Sequence, residues 1–392
     1  MSQGEFAVAG RYSCTAGCDV DADYVVISLL NFKTETNEIR QIPQTQAKAN
    51  SAAKWLKQNK VEFIVLESTA NYHLTFYHAF RKLRLNVHII NPAQVKALLR
   101  VEGKSDKADA TTLAVLAATF PLRTSNVPDA QQMEIRSNLR NYDRDRKALT
   151  KLKQRVHQEL AQFGINIFRE TSLRTQSGRA FLEALSQTED SAEKIVQNHW
   201  KGSHTSRPRL IEAMGNTEEL PTWLRQELEV LRIDLLVQEQ RIKNREQQAL
   251  YHIQHFELAP QIAWMATTPG VNWLVALRLI GEMGSDFWQR YPTSRAWCKA
   301  LGVAPNTLVS AGKVLKTEKA IGNYHAKQHL LMQMRNWLLR NHEHPLKQWQ
   351  VRYKAKAGFR KSVSACCNKA MTSLYHQGRH GGLPYNPSRT KV

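Results

Sequence analysis

Four carboxylates in the first third of the chain have the residue types and the spacing for metal-dependent phosphodiester chemistry. Asp106 and Asp109 lie in the segment Lys104–Ala110 (KSDKADA), and Asp19 and Glu67 precede it. Residues three apart on a helix share a face, so Asp106 and Asp109 would lie one turn over the other. Side by side they would repel each other, which suits a divalent cation better than a salt bridge. Clustered acids can hold two metals about 3.5–4 Å apart, which bind the attacking and leaving oxygens of a phosphodiester.

The runs of apolar and β-branched residues predict alternating strands and helices around these acids. The patterns indicate strands over 24–30, 39–42, 61–66 and 87–90, and helices over 47–59, 72–85 and the segment that carries Asp106 and Asp109. Asp19 is placed on the first strand, which alternating connections put at the centre of the sheet, and Glu67 ends a later strand. Functional groups in α/β sheets collect beyond the carboxyl ends of strands. This layout predicts an RNase H-like nuclease domain, preceded by poorly ordered residues 1–16.

Each acid also has an ordinary structural explanation. Asp19 could start a turn, Glu67 could cap a strand and Asp106 could cap a helix. For any one of them alone, the structural explanation is the better one. Taken together, in this order on these elements and among basic residues, the four acids favour a metal site.

The composition favours a polyanionic partner. Lys and Arg number 55 against 34 Asp and Glu, which gives a net charge of +21. Such an excess indicates nucleic acid or an anionic membrane. The sequence has no apolar run long enough for a bilayer and no signal-peptide layout, so nucleic acid is the better interpretation. The five cysteines are odd in number and form no CxxC pair, which predicts free thiols in a reducing compartment and no zinc site.

Two long helical patterns follow the acidic region. One basic helix is predicted over 137–163 and a second over 221–256, with coiled-coil spacing in both. In the second helix, one of the two heptad positions stays apolar along the whole length, while the other becomes polar in the second half. This predicts a helix that packs firmly at one end only or that meets a partner chain. Residues 170–222 between them are rich in Ser, Thr, Glu and Gln and are predicted to be a peripheral insertion of short helices. The basic end of the chain, residues 376–392, is predicted to be disordered.

Ser310 lies in a basic, glycine-containing loop with two possible roles. The segment Val309–Lys316 (VSAGKVLK) could cradle a phosphate on its backbone N–H groups. A nucleophilic serine needs a base or a metal to activate it, and its own loop offers only lysines. From spacing alone, a phosphate-contacting or turn serine is the better interpretation. The basic residues of the loop would then neutralise phosphates: Lys313, Lys316 and Lys319.

Taken in series, these motifs resemble those of the DEDD-type insertion-sequence transposases. These are bridge-RNA-guided serine recombinases related to the Piv DNA invertases. The segments that carry the resemblance are Cys18-Asp19-Val20, Glu67-Ser68-Thr69, Asn91-Pro92, Lys104–Ala110, Pro269-Gly270-Val271 and Ser310-Ala311-Gly312-Lys313. The resemblance covers nearly the whole chain.

The resemblance implies an α/β plus α protein with three parts. A RuvC-like acidic domain would span 15–125, a coiled-coil region 130–258, and a mainly helical transposase domain 259–375. It implies that Asp19, Glu67, Asp106 and Asp109 bind Mg²⁺ (or Mn²⁺) and that Ser310 is the nucleophile of a covalent serine–DNA intermediate. The expected nucleic-acid contacts are Lys104, Lys107, Gly312, Lys313, Lys316 and Lys319.

The resemblance also implies the partners and the setting. These are donor and target DNA, a structured non-coding guide RNA that selects the sequences, and a homo-oligomer, dimer or tetramer, whose active site is shared between protomers. The protein would be cytoplasmic and nucleoid-associated, and a membrane would not be among its partners. Two alternatives stay open from the residues. One is a junction-resolving nuclease that hydrolyses DNA with water, and the other is a basic nucleic-acid-binding protein without activity.

Overall fold

The computed structural model describes residues 6–7, 12–68, 71–90, 106–119, 122–125, 127–310, 313–318 and 322–387. Of residues 6–7, 106–107, 122–125, 306–310 and 313–318 it describes the backbone alone. The chain divides into two compact units, Met1–Asp129 and Ala130–Val392. The first is α/β and the second is mainly helical.

The N-terminal unit is built on a mixed sheet. Its strands are β1 (Phe6–Ala7), β2 (Cys14–Val20), β3 (Tyr24–Asn31), β4 (Thr36–Pro43), β5 (Phe63–Glu67), β6 (Val87–Ile90) and β7 (Leu122–Ser125). Across the described residues the order is β1-β7-β6-β5-β2-β3-β4. Strand β2 pairs antiparallel with β3 and parallel with β5, and β5 pairs parallel with β6. The prediction that the strand with Asp19 is central is therefore confirmed.

Helices cover both faces of this sheet. Helices α1 (Gln46–Gln58) and α2 (His73–Lys82) share a core with the strand residues Cys18, Ile64 and Leu66. Helix α3 (Asp106–Thr119) packs Leu113, Leu116 and Ala117 against Phe63 and Val65 on the other face. Because successive side chains of a strand point to opposite faces, the odd-numbered residues of β5 face α3.

The prediction of poor order up to residue 16 is wrong from residue 12 onward. Strand β2 begins at Cys14, and Thr15 and Ala16 are fully buried. The segment Thr15-Ala16-Gly17 lacks the large β-branched residues that mark a strand in a sequence. Its residues have packing roles instead: Gly17 lets α3 approach the sheet closely, and Ala16 lies in the core under α1 and α2.

In the C-terminal unit, two long helices run antiparallel. They are α4 (Ala130–Ala161) and α9 (Thr222–His255). Arg155 pairs with Glu227 at 2.7 Å near one end, and the Tyr142 hydroxyl donates to Glu246 at 3.0 Å further along. The polar half of the α9 seam is also inside this pair: Gln238 is buried and donates to Asp145 at 3.1 Å. The polar half of the seam was predicted to pack loosely or to meet a partner chain. At Gln238 it packs instead against α4 of the same chain.

The segment between the long helices forms its own small helical layer. It contains α5 (Ile167–Glu170), α6 (Gln176–Gln187), α7 (Ala192–His199) and α8 (Arg207–Met214). Their apolar residues share one core with the end of α4 and the start of α9. Arg225 of α9 is buried there and donates to the carbonyl oxygens of Leu185 and Thr217 at 3.1 and 2.6 Å. The insertion is therefore packed on the helix pair.

The remainder is a helical bundle with one β-hairpin. It contains α10 (Ala259–Ala266), α11 (Trp273–Met283), α12 (Phe287–Arg290), α13 (Ser294–Ala300), β8 (Asn306–Ser310), β9 (Lys313–Glu318), α14 (Tyr324–Arg340), α15 (Pro345–Ala357) and α16 (Phe359–Arg379). Its core includes Trp297 and Phe287, whose rings stack at 4.2 Å. All five cysteines are free and buried. Among the described residues, no helix has the length and apolar character to span a bilayer.

The prediction of disorder from residue 376 is wrong for residues 376–387. Helix α16 continues to Arg379, and Gln377 is buried and accepts a hydrogen bond from Thr268 at 3.0 Å. The N–H of Tyr385 donates to the Thr267 hydroxyl at 2.8 Å. Composition indicated disorder because the segment is polar and glycine-rich, but its contacts are made with a part of the chain more than one hundred residues earlier.

Candidate functional site

Two of the predicted acids stand at the ends of adjacent parallel strands. Asp19 is the penultimate residue of β2, and Glu67 is the last residue of β5. Cys18 pairs with Leu66 in the register, so Asp19 and Glu67 are the next pair of neighbours. Cys18 and Leu66 belong to the core under α1 and α2. By strand alternation, Asp19 and Glu67 therefore face the opposite side, where α3 packs.

Contacts between β2 and α3 fix the direction of the helix. The Thr15 hydroxyl donates to the carbonyl oxygen of Ala114 at 2.8 Å. Two residues further along the strand, Gly17 lies against the backbone of Ala110 and Ala114, where a Cβ atom on residue 17 would clash. Moving from Thr15 toward Asp19 thus moves along α3 toward its start. The N-terminal end of α3 points to the end of the sheet that carries Asp19 and Glu67.

The second pair of acids opens this helix. Asp106 is the first residue of α3, and Asp109 lies in its first turn and is exposed. Position 106 is one turn before Ala110, which is fully buried against the sheet. The structure therefore brings the backbone positions of all four acids to one end of the N-terminal unit. Lys107 is on the same turn, while Lys104 lies outside the described residues.

A hydrogen-bonded group that the sequence did not suggest holds the start of α3 on the sheet. The Thr111 hydroxyl donates to the Ser28 hydroxyl of β3 at 3.1 Å, and the Asn37 amide of β4 donates to Thr111 at 3.3 Å. The Ser28 hydroxyl in turn donates to the Asn37 carbonyl oxygen at 2.7 Å. These polar residues come from three elements, so no local motif could have revealed them. Thr111 lies two residues after Asp109 on α3, so these bonds hold that turn of the helix on the sheet.

The donor chemistry of the four acids fits a hard divalent cation. Carboxylate oxygens are the ligands that Mg²⁺ takes in proteins, usually one or two of them with waters and substrate phosphates. Among the side chains that the structure describes, no three His, Cys, Asp or Glu residues form a group that could hold a metal. The side chain of Asp106 lies outside that set. A metal site at this end of the unit is therefore a matter of proposal.

Ser310 lies in the C-terminal unit at the tip of a hairpin. It is the last residue of β8 and pairs with Lys313, the first residue of β9. The register shifts between Leu308 and Val309, which marks a β-bulge close to the tip. Lys316 is further along β9, whereas Gly312 and Lys319 lie outside the described residues. Ser310 and Lys313 are thus the paired ends of the two strands, and the residues between them lie outside the described part of the chain.

Comparison with known families gives two matches. Residues 16–165 match DEDD_Tnp_IS110, a transposase family, and residues 263–350 match the transposase family IS116/IS110/IS902. The chain carries both domains of an IS110-type transposase. The first match covers Asp19, Glu67, Asp106 and Asp109, and the second covers Ser310. No curated protein matches the chain.

In this IS110-type transposase, a buried ion pair joins the long helix α4 to the transposase bundle. Asp143 of α4 accepts two hydrogen bonds from Arg278 of α11, at 2.8 and 2.9 Å. The Arg278 side chain is 1% exposed. His329 of α14 is 2.8 Å from the same carboxylate. The four-residue spacing of His325 and His329 by itself indicates an ordinary helix surface, but His329 contacts the Asp143 carboxylate inside the bundle.

A second buried carboxylate lies one turn further along α11. Glu282 is 1% exposed and accepts two hydrogen bonds from Arg140, both at 2.9 Å. Asn323 donates to it at 2.8 Å, and the same Asn323 caps the start of α14 by accepting from the N–H of Ala326. Asn323 follows the hairpin that carries Ser310. The Glu282 cluster therefore fixes the point where the chain leaves that hairpin.

Charge and hydrogen bonding keep both carboxylates ionised. Burial raises the pKa of the Asp143 carboxyl, but the hydrogen bond from His329 and the charge of Arg278 outweigh burial and hold the pKa below its ordinary value. Burial likewise raises the pKa of Glu282, and hydrogen bonds from Arg140 and Asn323 bring it below the ordinary value. Both groups are thus structural anions of the bundle.

Proposed function

We propose that this transposase is an RNA-guided DNA recombinase that cuts and rejoins donor and target DNA through a covalent serine–DNA intermediate. Transposition of DNA is what its two families imply. The observation that supports the metal-dependent part is the direction of α3, fixed by Thr15 and Gly17, which points the start of the helix toward the end of the sheet with Asp19 and Glu67. The serine step is proposed from the family resemblance and from the position of Ser310 at the end of β8. The strand order of the N-terminal unit supports a RuvC-like domain around these acids.

In the proposed reaction the acids and the serine have separate roles. Asp19, Glu67, Asp106 and Asp109 would hold Mg²⁺ or Mn²⁺, which supplies charge stabilisation at the scissile phosphate when bound. The Ser310 oxygen would bond to phosphorus while the bond from phosphorus to the leaving strand oxygen breaks, and the serine proton would pass through solvent to that leaving oxygen, which departs as a hydroxyl. Rejoining reverses this with another strand end. Phosphates would be held by basic and glycine residues of both domains: Lys104, Lys107, Gly312, Lys313, Lys316 and Lys319.

A structured guide RNA is proposed to select the DNA sequences. With a net charge of +21, the chain can hold the backbones of both RNA and DNA. Base pairing between RNA and DNA would then carry sequence choice, as the family resemblance implies.

The direct test is a trap for protein-linked DNA. Cells that contain the protein and the DNA flanking its element are lysed in denaturant, and the DNA attached to protein is measured. We expect an adduct with the wild type and none with Ser310→Ala, because alanine has no hydroxyl oxygen with which to form the bond. Ser51→Ala, at an exposed serine of α1 in the N-terminal unit, is the matched control and should keep the adduct. Recombination at the wild-type level in Ser310→Ala would rule the mechanism out.

A second candidate is a metal-dependent nuclease of the junction-resolving kind. The placement of the four acids by β2, β5 and α3 favours it, because that placement makes no use of Ser310. In this case water attacks the phosphate and Ser310 only binds DNA. Clean breaks that depend on Asp109, without any adduct in the wild type, would establish hydrolysis. A nucleic-acid-binding protein without activity is the third candidate, and unchanged function after loss of the acids would indicate it.

We further propose that the protein is a homo-oligomer, with an active site shared between protomers, whose contact includes the outer face of α9. Val230, Ile233 and Val237 lie at spacings of three and four, and they are 53%, 48% and 47% exposed. Such a stripe is typical of helices that pair with a partner helix. A second copy presents the same stripe, so the contact can be symmetric.

Sedimentation of the purified protein tests this contact. We expect a dimer or tetramer for the wild type and a monomer for Val230→Glu/Ile233→Glu, because burying two carboxylates in an apolar contact is unfavourable. Met332→Glu is the control, since Met332 is 48% exposed on α14 and should leave the assembly unchanged. An unchanged oligomer in the double variant would place the contact elsewhere.

A further inference from the structure

The C-terminal end of the chain carries a surface of one charge. From His344 to Val392 the sequence contains ten Lys and Arg residues and neither Asp nor Glu. Most of this segment folds as α15 and α16, which meet at Gly358. The match to the second transposase family ends at residue 350, so the junction of these helices lies beyond it. We refer to residues 351–361 as the basic corner.

The basic corner stands out from the bundle into solvent. Residues 351–356 and 358–361 are all exposed, although helices packed on a core bury one face. Five cations lie here: Arg352, Lys354, Lys356, Arg360 and Lys361. Within the part of the chain that the structure describes, none of the five forms an ion pair with a carboxylate. Five unneutralised charges at one protrusion attract a polyanion strongly.

Aromatic rings hold cations in place at this corner. Lys354 and Arg335 lie over the ring of Phe359, at 5.8 and 5.9 Å from its centroid. Next to it, Lys369 lies 4.7 Å from the ring centroid of Trp349, and Trp349 stacks on Tyr353 at 4.8 Å. Each ring is therefore already in contact with a cation or another ring. These contacts position the charges, while Tyr353 and Phe359 stay 36% and 39% exposed.

The base of the corner is fixed by buried polar contacts. Gln350 donates to the Ser362 hydroxyl at 2.8 Å, and Ser362 donates to the carbonyl oxygen of Phe359 at 2.8 Å. Gly358 joins the helices with a φ of 79°, a left-handed conformation that favours glycine. Its N–H donates to the carbonyl oxygen of Lys354 at 2.9 Å. The cations thus stand on a defined turn between two helices.

We propose that the basic corner binds the phosphate backbone of duplex DNA without reading its sequence. The inference rests on the proposed function only in that DNA is the substrate. Five cations on a defined turn, which form no ion pair among the described residues, suit a regular row of phosphates, and comparison with single-stranded DNA tests whether the exposed rings take part instead. The corner would hold DNA that flanks the reacting site and leave sequence choice to other parts of the complex.

The test measures binding of a short duplex of arbitrary sequence by the full chain over a range of salt concentrations. The variant is Arg352→Gln/Lys354→Gln/Lys356→Gln. Each phosphate contact contributes about 0.9 to the slope of log K against log salt, so the slope should become shallower by about 2–3. The matched control is Arg174→Gln/Lys201→Gln/Lys243→Gln, three exposed cations of the same unit that remove the same charge. A control slope equal to that of the wild type is expected.

Two further arms separate this site from other kinds of nucleic-acid contact. Phe359→Leu keeps every charge but removes the ring below Lys354, so we expect duplex affinity to fall a few-fold with the slope unchanged. Equal slopes for the triple variant and its control would overturn the proposal. So would a loss in Tyr353→Leu that is confined to single-stranded DNA, or a preference of the corner for an RNA hairpin over the duplex. Adducts at Ser310 are measured separately, so failure here leaves the recombinase proposal standing.

Discussion

Asp106→Asn/Asp109→Asn is expected to lose strand cleavage by about 10³-fold while the protein folds as the wild type does. A metal at a phosphodiester supplies several kcal/mol of charge stabilisation, and about 4 kcal/mol corresponds to that factor. Asparagine keeps the shape of aspartate but removes its charge. Folding should change little, because Asp109 is exposed and an acid in a first helical turn contributes about 0.3–1 kcal/mol. Cleavage and thermal unfolding are measured on the same preparations.

A metal titration distinguishes loss of the ligand from loss of structure. The single variant Asp109→Asn should need more Mn²⁺ for half-maximal cleavage and should bind less Mn²⁺ in solution. Glu35→Gln is the control, because Glu35 is an exposed acid on the turn between β3 and β4, at the far end of the sheet from Asp19. Wild-type activity in the double variant would exclude the acids from the reaction and point to the protein without activity.

Asp143→Ala is expected to destabilise the C-terminal unit by about 3–5 kcal/mol. Removing one member of a buried ion pair leaves the other charge without its partner, and Arg278 is 1% exposed. Asp143→Leu/Arg278→Met should recover most of the loss, because apolar pairs often replace buried ion pairs at little cost. Glu159→Ala, on the same helix, removes a partner of Arg155, which is 55% exposed, and should cost about 1 kcal/mol or less. Urea unfolding of the three variants gives these values.

The same ion pairs predict how the free energy of unfolding depends on pH. The pKa values of Asp143 and Glu282 are lowered in the folded protein. Their stabilisation is therefore complete above the usual carboxyl pKa of about 4 and is lost as the pH falls through the lower folded values. We expect the unfolding free energy to fall below about pH 4, and to fall less steeply in Asp143→Asn. Parallel curves for both proteins would contradict the assignment.

The sequence predicted the elements with strong periodicity. The strand over 87–90 has the predicted bounds, and the strand over 24–30 and the helix over 47–59 are each within a residue or two of those observed. Strand β2 was not separated from its surroundings, because Thr15 and Gly17 meet the requirements of contact with α3 rather than of strand preference. Strand propensity does not identify a strand whose residue types are determined by packing against a neighbouring helix.

The acids could be singled out in the sequence, but the buried ion pairs of the C-terminal unit could not. Asp19, Glu67, Asp106 and Asp109 have a motif and a place at element ends. Asp143, Arg278 and His329 come from three distant helices, and nothing local to any of them indicates the others. Pairing between residues more than one hundred positions apart depends on tertiary packing, which a pattern within a helix does not contain.

Gly17 has a mechanical consequence for the N-terminal unit. With no side chain between the backbone of β2 and that of α3, there is no compressible layer in which the helix could slide or tilt. Strand and helix therefore move as one rigid piece, and the spacing between Asp19 and the first turn of α3 is set when the chain folds. A regulator that acts on this end of the unit would therefore have to change the access of DNA or metal to the acids. It could not act by moving the acids relative to one another.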